Sequence, residues 1–484
     1  MSSAYKSILK ATGLLGSVQV LYTFISIVRN KLAAIFIGPY GMGLLDLYTR
    51  IAELCSQCTN FGLAFSAVRE LSQIRESGTK KQQAECVKLI RSWGFNAAIL
   101  GTLACVVFAP LLCKMATDDI NLTYSVMRLS PLVGILTLTG CELAILKAMR
   151  RLRQLANNTV IGALLTLIFA TVFYPTLGVS GIKWVLLLST GSILLVNMYS
   201  TTRLFPYHLN LTSWKFLKNG GPLIKLGMAY VISGAFAAIA EIIIRDVIIA
   251  EKGMSCAGLY AAGLTLTVSY ARIVLTALDA DYFPRLSALT SQGADVSGTI
   301  NDQIDILLLL MSPFLMLFSL ALPQIIQLLY TPKFLDVLPM VICALSSMYF
   351  KAMYSPLAYL PLAKGDSRVF MVMELLYDVV FCASVVLGFH YYGLLGAGVG
   401  LSLSHLLDLL TLNVFYHVHY GYRLRRKTFL IALSQYLLLT VVLGLCIYGD
   451  VTLCIAGGTL IFAISTAISL YCLKPKFYTS HKKL

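Results

Sequence analysis

Charge is what this chain has least of. Only 12% of its 484 residues are Asp, Glu, Lys or Arg, about half the share found in a water-soluble domain. Acids are the scarcer sign, with 22 Asp and Glu against 38 Lys and Arg. No polar stretch is long enough to build a soluble nucleotide-hydrolysing domain, and no Walker loop, G-x-S-x-G or H-E-x-x-H sequence occurs. The connections expected on the outer face are all short. That argues against a membrane-embedded polymerase, ligase or acyltransferase, which keeps its catalytic residues in a large outer loop. The chain therefore reads as something other than an enzyme, and nothing in it asks for a cofactor.

Metal chemistry is equally thin. The twelve cysteines are scattered through apolar runs. Cys55 and Cys58 form a lone C-x-x-C with no second pair and no neighbouring His, so packing is the expected role. His417 and His419, two apart on a helix, point in different directions and suit a headgroup-level position better than a shared metal.

What is abundant is apolar length. Hydrophobic residues make up 58% of the chain and mean hydropathy is +0.80. Runs of about 20 residues are long enough to span a bilayer as helices. The first, residues 12–37, is too long for the apolar core of a cleaved leader and is expected to remain as a span. The pattern predicts an all-α polytopic membrane protein of about fourteen transmembrane helices.

The net charge of +16 does not imply nucleic acid, because the basic residues are sorted by face. Arg69, Arg75, Lys80, Lys81, Lys88 and Arg91 fall in one connection, Lys147, Arg150, Arg151 and Arg153 in another, and Arg423, Arg425, Arg426 and Lys427 in a third. The opposite connections hold only Lys114, Lys252 and Lys333. The excess of Lys and Arg on one side predicts that both termini are cytoplasmic. The segment 70–93 is too polar to span, and its Leu71, Ile74, Val87, Leu89 and Ile90 predict a helix lying on the inner surface.

Landmarks recur at an offset of 215 residues. Gly43-Leu44 matches Gly258-Leu259, Gly178-Val179-Ser180-Gly181 matches Gly393-Leu394-Leu395-Gly396, and Arg153 matches Arg368. The same offset carries Asn30-Lys31 onto Arg245-Asp246. Six spans per copy is an even number, so the copies point the same way, as parallel repeats about an axis along the membrane normal. The predicted organisation is a six-helix lobe at 1–202, a cytoplasmic linker at 203–223, a second six-helix lobe at 224–420, and two further spans with a cytoplasmic tail at 421–484. Such lobes predict a transporter with its site near the midplane.

Against this apolar background, residues 28–53 carry Arg29, Lys31, Asp46, Arg50 and Glu53 around a tight turn of Gly38, Pro39, Gly41 and Gly43. A charge at mid-bilayer costs about 2.5–3.5 kcal/mol on insertion scales, so these residues face a wet cavity or one another. Asp46, Arg50 and Glu53 share a helix face at i,i+4 and i,i+3, and Glu241 and Arg245 do so on the seventh span. Arg29, Lys31, Arg272 and Lys351 have no acid at helical spacing. Two readings remain open for the deep cations Arg29, Lys31, Arg50, Arg245, Arg272 and Lys351: a site for a substrate anion such as a lipid pyrophosphate, or ion pairing between helices. Glu53, Glu142, Glu241 and Asp246 are the acids placed to couple transport to an ion.

The stretch KLAAIFIGPYGMGLLDLY, with Gly38, Pro39, Gly41 and Gly43, resembles the first hairpin of bacterial polysaccharide flippases, the Wzx-type O-antigen translocases of the multidrug/oligosaccharidyl-lipid/polysaccharide exporter superfamily. GLAFSAVRELSQ at 62–73, the Gly258-Leu259-Tyr260 triplet and LLGAGVG at 394–400 fit the same pattern. The resemblance implies a central cationic cavity and a polyprenyl-pyrophosphate-linked oligosaccharide moved from the cytoplasmic to the periplasmic leaflet by alternating access, for O-antigen and lipopolysaccharide assembly. It implies membrane lipids and polysaccharide polymerase or ligase machinery as partners. Fourteen spans fit the lipid II flippase branch, whereas many O-antigen flippases have twelve. A multidrug or organic-cation antiporter of the same fold is the alternative, and the deep cations count against it.

Overall fold

The structure is a computed structural model that describes residues 3–116, 120–210, 221–269, 282, 285–286, 289–290 and 296–481. Among the described residues it is helical with no strand. The chain divides into two compact units, Met1–Gly258 and Leu259–Leu484.

In the first unit, helix α1 (Ser3–Phe36) turns at Gly38 into α2 (Gly38–Thr59). Gly38 takes φ +61°, a left-handed value that L side chains adopt only with strain. Pro39 follows in the first turn of α2, where its missing N–H removes nothing from the helix. Helices α3 (Leu63–Ser77), α4 (Lys80–Ala116), α5 (Ile120–Leu129) and α6 (Pro131–Ala148) come next. Helices α7 (Leu152–Leu177) and α8 (Gly181–Thr202) form a hairpin that reverses at Gly178, and α1 packs on α7. Helix α9 (Gly221–Lys252) lies against α2, α3 and α4, and so belongs to this unit by packing. Helix α10 (Met254–Leu264) begins at the unit's end.

The polar segment 70–93 departs from expectation. It is not a surface-lying helix. It is split by Gly78 into the end of α3 and the start of α4, and α4 then runs unbroken into an apolar span. Leu71, Val87 and Ile90 are fully buried against Ala144, Ile145 and Ala148 of α6. Their apolar periodicity records a protein core at the helix ends rather than lipid contact.

In the second unit, α11 (Ser297–Leu329) packs on α12 (Leu338–Ala358) and on a terminal hairpin, α15 (Arg426–Tyr448) and α16 (Val451–His481). A short α13 (Leu360–Lys364) leads into α14 (Ser367–Tyr420). Helix α14 is continuous in range but reverses at Gly393, with φ 59° and ψ −141°. The two arms then run side by side, so that a Cβ on Gly388 would lie 2.2 Å from the Gly396 carbonyl oxygen.

Eight described stretches are long and apolar enough to cross a membrane. Arg153–Thr202 and Ser367–Tyr420 have 50 and 54 residues, each more than twice the ~20 that one crossing needs, and each is folded as a hairpin. The chain is a multi-pass membrane protein. The finer count of fourteen remains an expectation from the sequence.

The duplication is written in the backbone. Left-handed φ values recur at the same offset: Gly38 with Gly253, Arg150 with Gly365, and Gly178 with Gly393. Gly178 (φ 55°, ψ −132°) and Gly393 share an otherwise rare conformation.

Candidate functional site

In the first unit the charged residues gather where α9 crosses α2. On α2, Arg50 Nε lies 3.5 Å from Asp46 Oδ1, and Arg50 Nη1 donates to Glu53 Oε2 at 3.3 Å. These are the pairs that the i,i+4 and i,i+3 spacings predict. Arg245 of α9 is 1% exposed and donates to Asp46, to the Glu241 carboxylate and, at 2.7 Å, to the Glu241 carbonyl oxygen. Asp46 thus bridges the two arginines. Asp246, next along α9, is 5% exposed, and both its carboxylate oxygens lack a hydrogen-bond partner among the described residues.

The hairpin glycines sit in tight contacts around the start of α2. A Cβ on Gly41 would meet Ile37 Cβ at 2.4 Å, and one on Gly43 would meet the Met254 carbonyl oxygen at 2.3 Å. Gly38 serves the turn, while Gly41 and Gly43 serve close packing.

The other candidates lie elsewhere. Arg29 on α1 donates from Nη2 to Asn30 Oδ1 at 3.1 Å and lies near enough to the buried Tyr174 phenol for its charge to be felt. Among the described residues it meets no carboxylate. Lys31 is engaged by a neighbour. Arg272 lies outside the described residues, as do the nearby acids Asp279 and Asp281. Glu142 is not in the α2–α9 group. It is 3% exposed on α6, accepts from Arg91 Nε at 2.9 Å and Nη2 at 3.2 Å, and accepts from the Thr201 hydroxyl at 2.5 Å. Arg91 also donates to the carbonyls of Phe205 and Pro206, each at 3.1 Å, and covers the Tyr207 ring. The sequence pattern places Arg91 among loop cations, but it is 1% exposed.

In the second unit Lys351 lines a cavity of about 270 Å³ with Glu374, Asp408, Tyr354, Tyr377 and Tyr416. Lys351, Glu374 and Asp408 are close enough for their charges to interact. His405, 3% exposed, stands edge-on to Tyr377. Sequence reasoning misses Glu374, Asp408 and His405. They come from the two arms of α14, while Lys351 comes from α12, so no spacing along one helix joins them. The cavity is below the ~300–1,000 Å³ that buries a drug-sized ligand, so it suits a small group rather than an oligosaccharide. Among the described residues no cluster of three or more His, Cys, Asp or Glu is placed to hold a metal.

Residues 8–290 match the model of a family described as polysaccharide biosynthesis protein. The chain belongs to that family. No curated protein matches this polysaccharide biosynthesis protein by sequence. Solved structures do match its fold. The lipid II flippase MurJ in an inward closed conformation aligns with TM-score 0.71 at 15% identity, over 95% of this chain and 99% of that one. An inward-facing multidrug resistance MATE family transporter of the MOP superfamily gives 0.66 at 14%, over 85% and 98%. A MOP superfamily transporter from Pyrococcus furiosus, whose binding pocket is described as reversed in polarity, gives 0.55 at 15%, over 84% and 95%. Likeness at such identity shows the fold. The resemblance carried by residues 28–73 thus agrees with the family match, and the likeness to these structures is one of fold.

Proposed function

We propose that this polysaccharide biosynthesis protein is a flippase. It moves a polyprenyl-pyrophosphate-linked oligosaccharide from the cytoplasmic to the outer leaflet of a bacterial inner membrane, with both termini in the cytoplasm and access alternating between faces. Arg29 carries the reading. Its guanidinium stands within an apolar helix of a polysaccharide-biosynthesis family with no carboxylate to neutralise it among the described residues. A planar, permanently charged fork suits a pyrophosphate. Arg50, half-exposed and shared by Asp46 and Glu53, is the second donor. Lys31 and Arg272 complete the anion site, while Arg245 holds α9 to α2. Lys351 serves with the acids around it. The sequence copies 1–202 and 224–420 are the proposed moving lobes, joined by 203–223, with 421–484 as an appended hairpin.

Asp246 is the acid best placed to exchange an ion, because it is buried and neither oxygen is hydrogen-bonded among the described residues. Glu53 and Glu241 stand with arginines, and Glu142 with Arg91. The organic-cation antiporter reading draws support from one feature, the carboxylates and tyrosines of the α12–α14 cavity.

Reconstitution into liposomes with a fluorescent polyprenyl-pyrophosphate saccharide tests the proposal. Label should reach the far leaflet only with protein present. Arg29→Ala should slow its appearance about ten- to hundredfold, the worth of one charged hydrogen bond at ~1.5–3 kcal/mol, without loss of membrane insertion. Full activity in Arg29→Ala, Arg50→Ala and Arg272→Ala overturns the anion site. Efflux of a cationic dye with no lipid movement establishes the antiporter.

A further inference from the structure

The terminal hairpin carries a pair of thiols that the flippase reading does not use. Cys446 sits in the last turn of α15 and Cys454 in the first turn of α16, either side of the Gly449-Asp450 turn. Their sulfurs are 3.3 Å apart and both residues are half-buried. The helices are in fixed register over their length. Gln435 and Ser465 are fully buried, and the Ser465 hydroxyl donates to Gln435 Oε1 at 2.6 Å. That pair and the cysteine pair are centred on the same point of the turn, so the closeness of the sulfurs follows from the hairpin's register.

The turn's location bears on its chemistry. Arg423, Arg425, Arg426 and Lys427 precede α15, and Lys474 and Lys476 fall in the closing part of α16. The Gly449-Asp450 end has no Lys or Arg between 428 and 473. An excess of basic residues marks the cytoplasmic end of a span, so the thiols sit at the opposite end, where thiols are oxidised.

We infer that Cys446 and Cys454 are a disulfide site, closed at the outer end of the α15–α16 hairpin by thiol–disulfide exchange with an external protein disulfide. One cysteine, as thiolate, attacks a sulfur of that disulfide, forms a mixed disulfide and expels one thiolate. The second cysteine then attacks the cysteine sulfur of the mixed disulfide and releases the other thiolate. Two cysteine thiols are oxidised, giving up two electrons and two protons, and the protein disulfide is reduced to a dithiol. The bond requires the sulfurs to close from 3.3 Å to ~2.05 Å. The inference rests on the membrane orientation proposed above, and on nothing about the substrate.

The test uses full-length protein from cells quenched in acid, then alkylated in denaturant with iodoacetamide before and after reduction. Trypsin releases residues 428–476, which hold Cys446, Cys454 and Cys472. One alkyl group before reduction and three after is the expected result. Cys446→Ser or Cys454→Ser should carry two under both conditions. Three groups without reduction overturn the inference. So does equal oxidation of Cys55 with Cys105, a thiol pair in contact inside the first unit, because it marks oxidation during work-up. Orientation is checked separately by Tyr392→Cys in the exposed turn before Gly393. Its labelling by an impermeant maleimide on spheroplasts shows that a reduced Cys446–Cys454 pair reflects the thiols and not an inverted topology.

Discussion

Gly43 and Gly258 are equivalent positions of a duplicated sequence, and they lie against each other. A Cβ on Gly43 would sit 2.9 Å from the Gly258 amide nitrogen, and one on Gly258 would sit 2.8 Å from the Gly43 nitrogen and 1.8 Å from the Pro39 carbonyl oxygen. The neighbours are backbone, which cannot swing aside as a side chain can. Each copy's helix-start glycine is thus also the other's packing surface.

Gly258→Ala and Gly43→Ala should therefore each destabilise the fold by about 1–3 kcal/mol, the range for an overpacked site. Gly191→Ala on α8 meets nothing within 4 Å among the described residues, and should be neutral or stabilising by up to ~1 kcal/mol through helix propensity. Thermal unfolding of the three variants in one detergent checks the order. Equal behaviour of all three would remove the contact's importance.

Arg245 is held at 1% exposure by two carboxylates. Removing one partner of such a group leaves a buried charge uncompensated, at about 3–5 kcal/mol. Arg245→Met should lower the melting temperature steeply. Adding Asp46→Asn and Glu241→Gln should recover much of the loss, as a thermal-melt mutant cycle would show. A triple variant no better than the single one would mean that Arg245 acts by its bulk.

Much of this architecture is legible in the amino-acid sequence. The i,i+3 and i,i+4 pairs on α2 and α9 form as spaced, and the turn glycines fall where the chain reverses. The repeat is visible in three landmarks, and the matching left-handed positions Gly38 and Gly253, and Arg150 and Gly365, extend it. Pairing across helices is not legible. Arg91 finds Glu142 at a sequence separation of 51, and Lys351 meets acids on two arms of another helix. A sequence records periodicity along one helix, whereas these contacts depend on which faces meet.

Glu142 and Asp246 should separate under mutation. Glu142 has its oxygens filled by Arg91 and Thr201, so Glu142→Gln should lower stability by ~3–5 kcal/mol, with flux per folded molecule within about twofold of wild type. Asp246→Asn removes an acid with no hydrogen bond among the described residues. It should leave stability near wild type while abolishing the dependence of flux on an imposed ion gradient. Liposomes carrying each variant, with proton or sodium gradients, give both readouts. The reverse pattern would transfer the coupling role to Glu142.

Asp366 caps α14. Its carboxylate accepts from the Val369 amide at 3.2 Å and the Tyr420 hydroxyl at 3.1 Å, and these bonds, the amide first, hold its pKa below the ordinary carboxylate range. A lowered folded-state pKa means that the stabilisation is complete above the unfolded value near 4 and is lost as pH falls through the folded one. The melting temperatures of wild type and Asp366→Ala should differ by a constant amount from pH 5 to pH 8 and converge below pH 4. A gap that persists undiminished at the lowest pH at which both proteins stay folded would show that the carboxylate charge is not what stabilises the cap.

Lys351 decides what the α12–α14 cavity accepts. With the lysine present, Glu374 and Asp408 share a cation supplied by the protein, and a ligand cation gains little by entering. Lys351→Met keeps much of the side chain's length and removes the charge, leaving two carboxylates among Tyr354, Tyr377 and Tyr416. Carboxylates walled by aromatic rings attract quaternary ammonium groups, and about 270 Å³ has room for one as small as tetramethylammonium. The variant should melt lower than wild type without ligand and be raised several degrees by millimolar tetramethylammonium, while wild type is not. Lys351→Met/Glu374→Gln should lose most of that rise. A wild-type protein stabilised as strongly as the variant would show that the lysine does not guard the cavity, and would favour the organic-cation antiporter over the flippase.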